Sequence, residues 1–331
     1  MPSAVPVQSS PLRRWVRPDK TRQDLPWADI AAIDLSKFDQ PGGKDQLVED
    51  LRQAVHETGF FGLINTGFTP EENNDKKMLG PEVRNNSESV NIPKFTAYYA
   101  NEPFHSFFEP YRDEIESFSR RSLDLASRVF RLFALILELP EDFFSSRHEY
   151  SLPSEDHLRY MRYHPRTLAD DVKVERNWSR AHTDFGSLTL LWSQDVAGLQ
   201  IKTRSGEWRY VPPLDGGIIC NVGDTLDFWS AGYLKSTIHR VIRPPEDQAS
   251  QFRLGLFYFV RPGDDVDIKP APSPLLKRLR LVREDSGEAE LVTGLQYVRE
   301  RVKNYHDHDD YTDKRGQTFK LGSLEIEDQA A

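Results

Sequence analysis

The chain has 331 residues, 29% charged and 38% hydrophobic, the make-up of a soluble globular protein long enough for a substantial core. A net charge of -9, from 43 basic and 52 acidic residues, gives nucleic acid no electrostatic foothold. No stretch approaches the ~20 apolar residues of a membrane span, and the lone Cys220 rules out an internal disulfide.

Residues 1–24 read as a polar, proline-containing extended tail without the apolar run of a signal peptide, so the expected location is cytoplasmic. An α/β N-terminal module follows over 25–105. A short strand at 30–35 precedes the turn Gly42-Gly43. A helix then places Leu47, Leu51 and Val55 on one face, and a second strand runs over 60–64. Within that module residues 67–91 are polar, with no period. Residues 106–157 hold a long supporting helix, expected over 107–139, where Ile115, Phe118, Leu125, Val129, Leu132 and Ile136 recur at three-and-four spacing and Pro140 closes the run. From 158 to 262 the texture changes to short strands, expected at 160–163, 187–192, 198–202, 208–211, 217–222, 225–229, 236–242 and 252–260. Eight strands at that spacing predict a mainly β fold, a sandwich or barrel with the double-sheet jelly roll foremost. A C-terminal helix at 293–305 and a charged tail complete 263–331.

The chemistry gathers in the strand region. In a strand, residues i and i+2 share a face, so His182 and Asp184 project together. A second imidazole, His239, lies in Lys235-Ser-Thr-Ile-His-Arg-Val-Ile242, and Arg253 opens the strand beyond it. Two His, one carboxylate and open positions suit a non-haem Fe(II) centre. A zinc hydrolase could use the same triad. Phe185, next to the carboxylate, is a candidate for lining the substrate pocket. Trp192, Trp229 and Phe228 read as core, and Cys220 as an inert buried thiol. Asp184-Phe-Gly186 spells a kinase motif but lacks a kinase's glycine-rich and catalytic loops.

In the order Glu57-Thr-Gly-Phe-Phe-Gly62, His182-Thr-Asp184, Gly198-Leu-Gln200, Asn221-Val-Gly-Asp224, Gly232-Tyr-Leu-Lys-Ser236, His239-Arg-Val241 and Arg253, the chain resembles the Fe(II)- and 2-oxoglutarate-dependent dioxygenases of the isopenicillin N synthase type. It is most similar to fungal secondary-metabolism members. The resemblance covers residues 25–301. It implies a double-stranded β-helix (jelly roll) core, with His182, Asp184 and His239 as iron ligands. Iron would leave positions for 2-oxoglutarate and dioxygen, with Arg253 holding the cosubstrate's 5-carboxylate. The implied reaction is hydroxylation, desaturation or rearrangement of a small, mostly apolar metabolite, with release of succinate and carbon dioxide. The partner is then a small molecule, not nucleic acid or a membrane; oligomeric state has no sequence signal.

The chain also departs from the family's pattern. Gly255 stands where relatives carry Ser or Thr two residues after the arginine, so a further contact to the 5-carboxylate is expected from elsewhere, with Tyr163 the candidate. The segment 67–91 is much shorter than in relatives, which raises an alternative: an impaired or non-catalytic relative that binds iron and 2-oxoglutarate but couples poorly to substrate oxidation.

Overall fold

Two sheets face each other across an apolar interior, and two helices cover the back of the larger one. The structure, a computed structural model, describes residues 17–68, 86–102, 104–282, 291–306, 318–321 and 324–327. Most of the shortened segment therefore lies outside the described residues.

In chain order the elements are β1 (Ala32–Asp34), α1 (Gly43–Glu57), β2 (Phe60–Ile64), β3 (Ser87–Pro93), α2 (Arg112–Ile136), β4 (His157–Tyr163), α3 (Leu168–Lys173), β5 (Asn177–His182), β6 (Leu188–Trp192), β7 (Leu199–Lys202), β8 (Trp208–Tyr210), β9 (Ile218–Val222), α4 (Asp224–Trp229), β10 (His239–Ile242), β11 (Arg253–Val260), β12 (Asp267–Ile268), α5 (Pro274–Arg278), β13 (Val292–Thr293), α6 (Gly294–His306), β14 (Thr318–Leu321) and β15 (Leu324–Glu327). The seven-stranded sheet runs β1-β2-β9-β6-β11-β4-β3 and the four-stranded sheet β5-β10-β7-β8. This is the mainly β, double-sheet fold that the strand pattern predicted. The large sheet also takes in β1, β2 and β3 from the N-terminal third.

The large sheet is apolar on both faces, for two different reasons. Its outer face carries Phe61, Leu63, Tyr160, Leu190, Cys220 and Tyr258, buried with Leu47, Leu51 and Val55 of α1 and with Phe118, Val129 and Phe133 of α2. The Phe118 ring sits 4.7 Å from Trp192, so the helical stripe read from the sequence does lie across a sheet. The inner face carries Phe60, Tyr163, Leu191 and Ile219, which meet Trp178, Leu199, Ile201 and Val241 of the small sheet. Burial on both faces explains why β6 and β9 read as continuous apolar runs rather than alternating ones.

Three local expectations change. Residues 225–229 form helix α4, not a strand: buried Leu226 and Trp229 stand three apart, a helical spacing. The long helix begins at Arg112, after a single 3-10 turn (Glu109–Tyr111) containing Pro110. In the aperiodic region, Ser87–Pro93 is an edge strand paired with β4. Its mostly polar residues give no alternation, and Pro93 stands at its end, where a strand tolerates it.

Candidate metal centre

The small sheet's register brings the two imidazoles together. His182 and His239 are direct partners across the antiparallel β5–β10 pair, with ring centroids 4.4 Å apart. His182 is the last residue of β5, and Asp184 lies just beyond it in the turn to β6. Asp184 Oδ1 is 3.8 Å from His182 Nε2 and 3.7 Å from His239 Nε2. Ligand atoms of the three residues all fall within 4.8 Å of one another, a group able to hold one metal ion.

The surroundings hold each ligand in a metal-ready form. His182 Nδ1–H donates to the Arg180 carbonyl at 2.7 Å and His239 Nδ1–H to the Thr237 carbonyl at 3.0 Å, leaving both Nε2 lone pairs facing Asp184. Burial, reinforced by His239, lowers the His182 pKa to about 4, so its imidazole is neutral at ordinary pH. Burial pushes the Asp184 carboxyl up, but His239, His182, Asn221 and Thr189 together hold it below the usual carboxylate range. Thr189 Oγ1 and Asn221 Nδ2 donate to Asp184 Oδ2 at 2.5 and 2.7 Å, which turns Oδ1 toward the imidazoles. The donor set, one carboxylate oxygen and two imidazole nitrogens, fits an Fe(II) ion with open positions.

Behind the ligand turn lies a carboxylate hub. Asp224 accepts from Ser236 Oγ at 2.7 Å, Tyr297 Oη at 2.8 Å and Thr183 Oγ1 at 3.2 Å, and pairs with Arg301 at 3.3 Å. Neighbouring Asp227 accepts from the Ser236 amide at 2.8 Å. Burial, with a smaller push from Asp224, raises the Asp227 pKa to about 6. A carboxyl raised above its unfolded value of 3.8 stabilises the fold fully below that value and loses the contribution as pH rises through about 6. Asp227→Asn, which still accepts from the amide, should therefore match wild type at pH 4 and gain roughly 1–2 kcal/mol at pH 7.5. Equal melting differences at the two pH values would contradict this.

Arg253 lies deeper in the same interior. It is 2% exposed, its Nε and Nη1 have no partner, and no carboxylate among the described residues pairs with it. Leaving a buried guanidinium unpaired costs several kcal/mol, so the fold keeps it for something else. A cavity of about 20 Å³, bordered by Leu191, Gly198, Leu199, Val211 and Ile219, opens beside it, large enough for a water. Tyr163 is its direct partner across β4–β11, with the guanidinium 5.6 Å from the ring centroid.

Gly255 has a physical reason. A Cβ built there would stand 2.3 Å from the Phe257 ring, so the aromatic side chain already occupies the space of the missing hydroxyl. Gly255→Ser alone should overpack the interior and lose about 1–3 kcal/mol without tightening 2-oxoglutarate. Gly255→Ser with Phe257→Ala should recover that loss. A stable single variant with improved cosubstrate affinity would overturn the account.

Phe185 is placed away from Arg253 and Tyr163. Its ring lies 4.6 Å from the Arg301 guanidinium of α6 and packs with Tyr297 and Val298. Sequence reading missed Thr189, whose hydroxyl bonds Asp184, and Phe60, whose ring lies 5.5 Å from His239. The Phe60 motif was visible, but its contact with the centre depends on strand register.

A jelly-roll interior holding a two-histidine, one-carboxylate face and a buried unpaired arginine has the donor set that suits a non-haem iron centre. Residues 155–262 match the family model of the 2OG-Fe(II) oxygenase superfamily, about a third of the chain. A UPF0676 protein of Schizosaccharomyces pombe is 30% identical over 59% of this chain and 57% of its own length. The chain spans 46% of a homoarginine-6-hydroxylase of Oryza sativa subsp. japonica at 29% identity. A 1-aminocyclopropane-1-carboxylate oxidase of Malus domestica is 28% identical over 74% of this chain and 81% of its own. Among solved structures, a full-length Neurospora crassa protein in complex with alpha-KG superposes with a TM-score of 0.68 at 21% identity, covering 84% of this chain and 96% of that one, which shows a shared fold. No helix among the described residues is long and apolar enough to cross a membrane.

Proposed function

We propose that the protein is an Fe(II)- and 2-oxoglutarate-dependent oxygenase that oxidises a small, mostly apolar metabolite of secondary metabolism, with release of succinate and carbon dioxide. The observation that carries this reading is one interior shared by a three-ligand face and a buried guanidinium with two unpaired donors. In it, His182, Asp184 and His239 hold the metal, and Arg253 binds the cosubstrate's far carboxylate beside Tyr163. Bound iron supplies the activation of dioxygen. The chain's own part is positional: Thr189 and Asn221 aim the Asp184 oxygen, two backbone carbonyls fix the imidazole tautomers, and Phe60 shields His239 from water on one side. Residues 158–262 serve as the catalytic core, preceded in sequence by the tail at 1–24, the module at 25–105 and the supporting helix at 106–157, and followed by the C-terminal segment at 263–331. The names of relatives, among them oxidases and hydroxylases, support the reading.

The test is an anaerobic titration with Fe(II) and 2-oxoglutarate, followed by oxygen and a panel of aromatic polyketides and terpenoids. Binding of both, then succinate formed in step with an oxidised product, is the expected result. Protein that binds zinc but not 2-oxoglutarate, and hydrolyses a panel ester instead, would replace this reading with a hydrolase.

A further inference from the structure

The wall facing the metal ligands carries polar groups that the fold leaves unpaired. Phe60, Asn221, Thr189, Phe259, His157 and Pro93 form one register row across the large sheet. Directly opposed residues share a face. Asn221 and Thr189 both reach Asp184, so Phe259 and His157 also look toward the centre. His157 is 8% exposed. Its Nδ1–H donates to the Glu155 carbonyl at 2.9 Å, which leaves Nε2 a pure acceptor, buried and without a partner. Arg261 lies two residues beyond Phe259. Its Nη1 pairs with Glu155 at 2.9 Å and its amide with Asp156, while its buried Nε–H has no partner. A Cβ on Gly186 would stand 3.2 Å from Arg261 Cγ, so Arg261 lies against the turn that follows Asp184.

Beside His157 the wall is aromatic. The Phe259 ring is 5.1 Å from His157 and tilted by 31°, and the Arg159 guanidinium lies 4.9 Å from its centroid. The spare donor belongs to a guanidinium, so an anionic acceptor suits it best. The spare acceptor takes a hydroxyl proton, and the Phe259 ring beside His157 offers an apolar face. Those three features match a single kind of occupant. We propose that this wall binds the primary substrate, a small flat carboxylic acid bearing a hydroxyl group. The carboxylate accepts from Arg261 Nε–H, the hydroxyl donates to His157 Nε2, and the apolar body lies on Phe259. The proposal rests on the oxygenase reading and narrows its substrate class.

The experiment titrates 4-hydroxyphenylacetate and 6-hydroxy-2-naphthoate, each with its methyl ester and its analogue lacking the hydroxyl. They are added anaerobically to protein carrying Fe(II) and 2-oxoglutarate, which fills the Arg253 site. At least one acid should bind about 10-fold or more tightly than its ester, as expected for a hydrogen bond to a charged group. Arg261→Lys keeps the charge and the reach to Glu155 but lacks the Nε–H, and should erase most of that preference. His157→Phe should erase the preference for the hydroxyl. Melting temperature and Fe(II) stoichiometry report whether each variant folds. Acids that bind no better than their esters, or a preference unchanged in Arg261→Lys, would overturn the proposal. Repeating the acid–ester comparison in metal-free Arg253→Met protein separates the two readings. If Fe(II) and 2-oxoglutarate fail to bind, the oxygenase reading falls, and this arm still decides the wall.

Discussion

His182→Ala, Asp184→Ala and His239→Ala are each expected to reduce succinate formation to background, whatever substrate is supplied. The three ligand atoms lie within 4.8 Å of one another, and no fourth His, Cys, Asp or Glu joins that group among the described residues. Losing one therefore leaves two anchors for a labile ion. Disturbing a residue that merely orients a ligand costs about 10–100-fold in metal affinity or activity, and removing a ligand should exceed that. Asp184→Glu should also fail: the added methylene moves the oxygen by about an ångström, where ligand distances tolerate ~0.2 Å. It also pulls the second oxygen off Thr189 and Asn221. Fe(II) stoichiometry and succinate yield measure both effects. A variant retaining wild-type turnover would remove that residue from the ligand set.

Arg253 should give a pair of effects with opposite signs. With 2-oxoglutarate present, Arg253→Lys keeps the charge but loses the planar fork, and should weaken cosubstrate binding ~10-fold or more. Arg253→Met should weaken it further. Without ligand the methionine variant should melt at the same or a higher temperature, because an unpaired buried cation has been exchanged for an apolar side chain of similar length, a change often neutral or stabilising by about 1–4 kcal/mol. A residue kept only for structure would destabilise the ligand-free fold and leave cosubstrate affinity alone. Calorimetric titration at fixed Fe(II), with melting curves of the ligand-free variants, distinguishes the two.

The three candidate metal ligands were legible because their chemistry is local or motif-borne: His182-Thr-Asp184 is three residues, and His239 stands in a recognisable run. The long helix was legible from its apolar stripe. What escaped reading depends on register or mixed polarity. Residues 224–229 combine acids with Leu226, Phe228 and Trp229, and such a short run satisfies neither period cleanly. Residues 177–182 are polar enough to hide β5, yet Trp178 and Ala181 are buried in it. His157, Phe259 and Arg261 are inconspicuous in sequence. Only the pairing of Phe259 with both Thr189 and His157 sets them before the metal ligands.

The order of strands in the large sheet also sets a timetable for synthesis. β2 pairs with β9 and not with β3, so Phe60–Ile64 emerges from the ribosome long before its partner Ile218–Val222 exists. At about 5–20 residues per second the wait is roughly ten to thirty seconds. Through that interval the nascent chain carries Phe60, Phe61 and Leu63 with one strand edge lacking its eventual partner, the condition under which edges pair with the wrong neighbour. α1 packs against β2 and can cover one apolar face early, but it cannot supply the missing backbone hydrogen bonds. Folding should therefore be sensitive to translation speed and to chaperones that hold extended apolar segments. A fragment beginning at residue 155 would leave β9 and β4 as naked edges, and should aggregate even though it carries every proposed iron ligand.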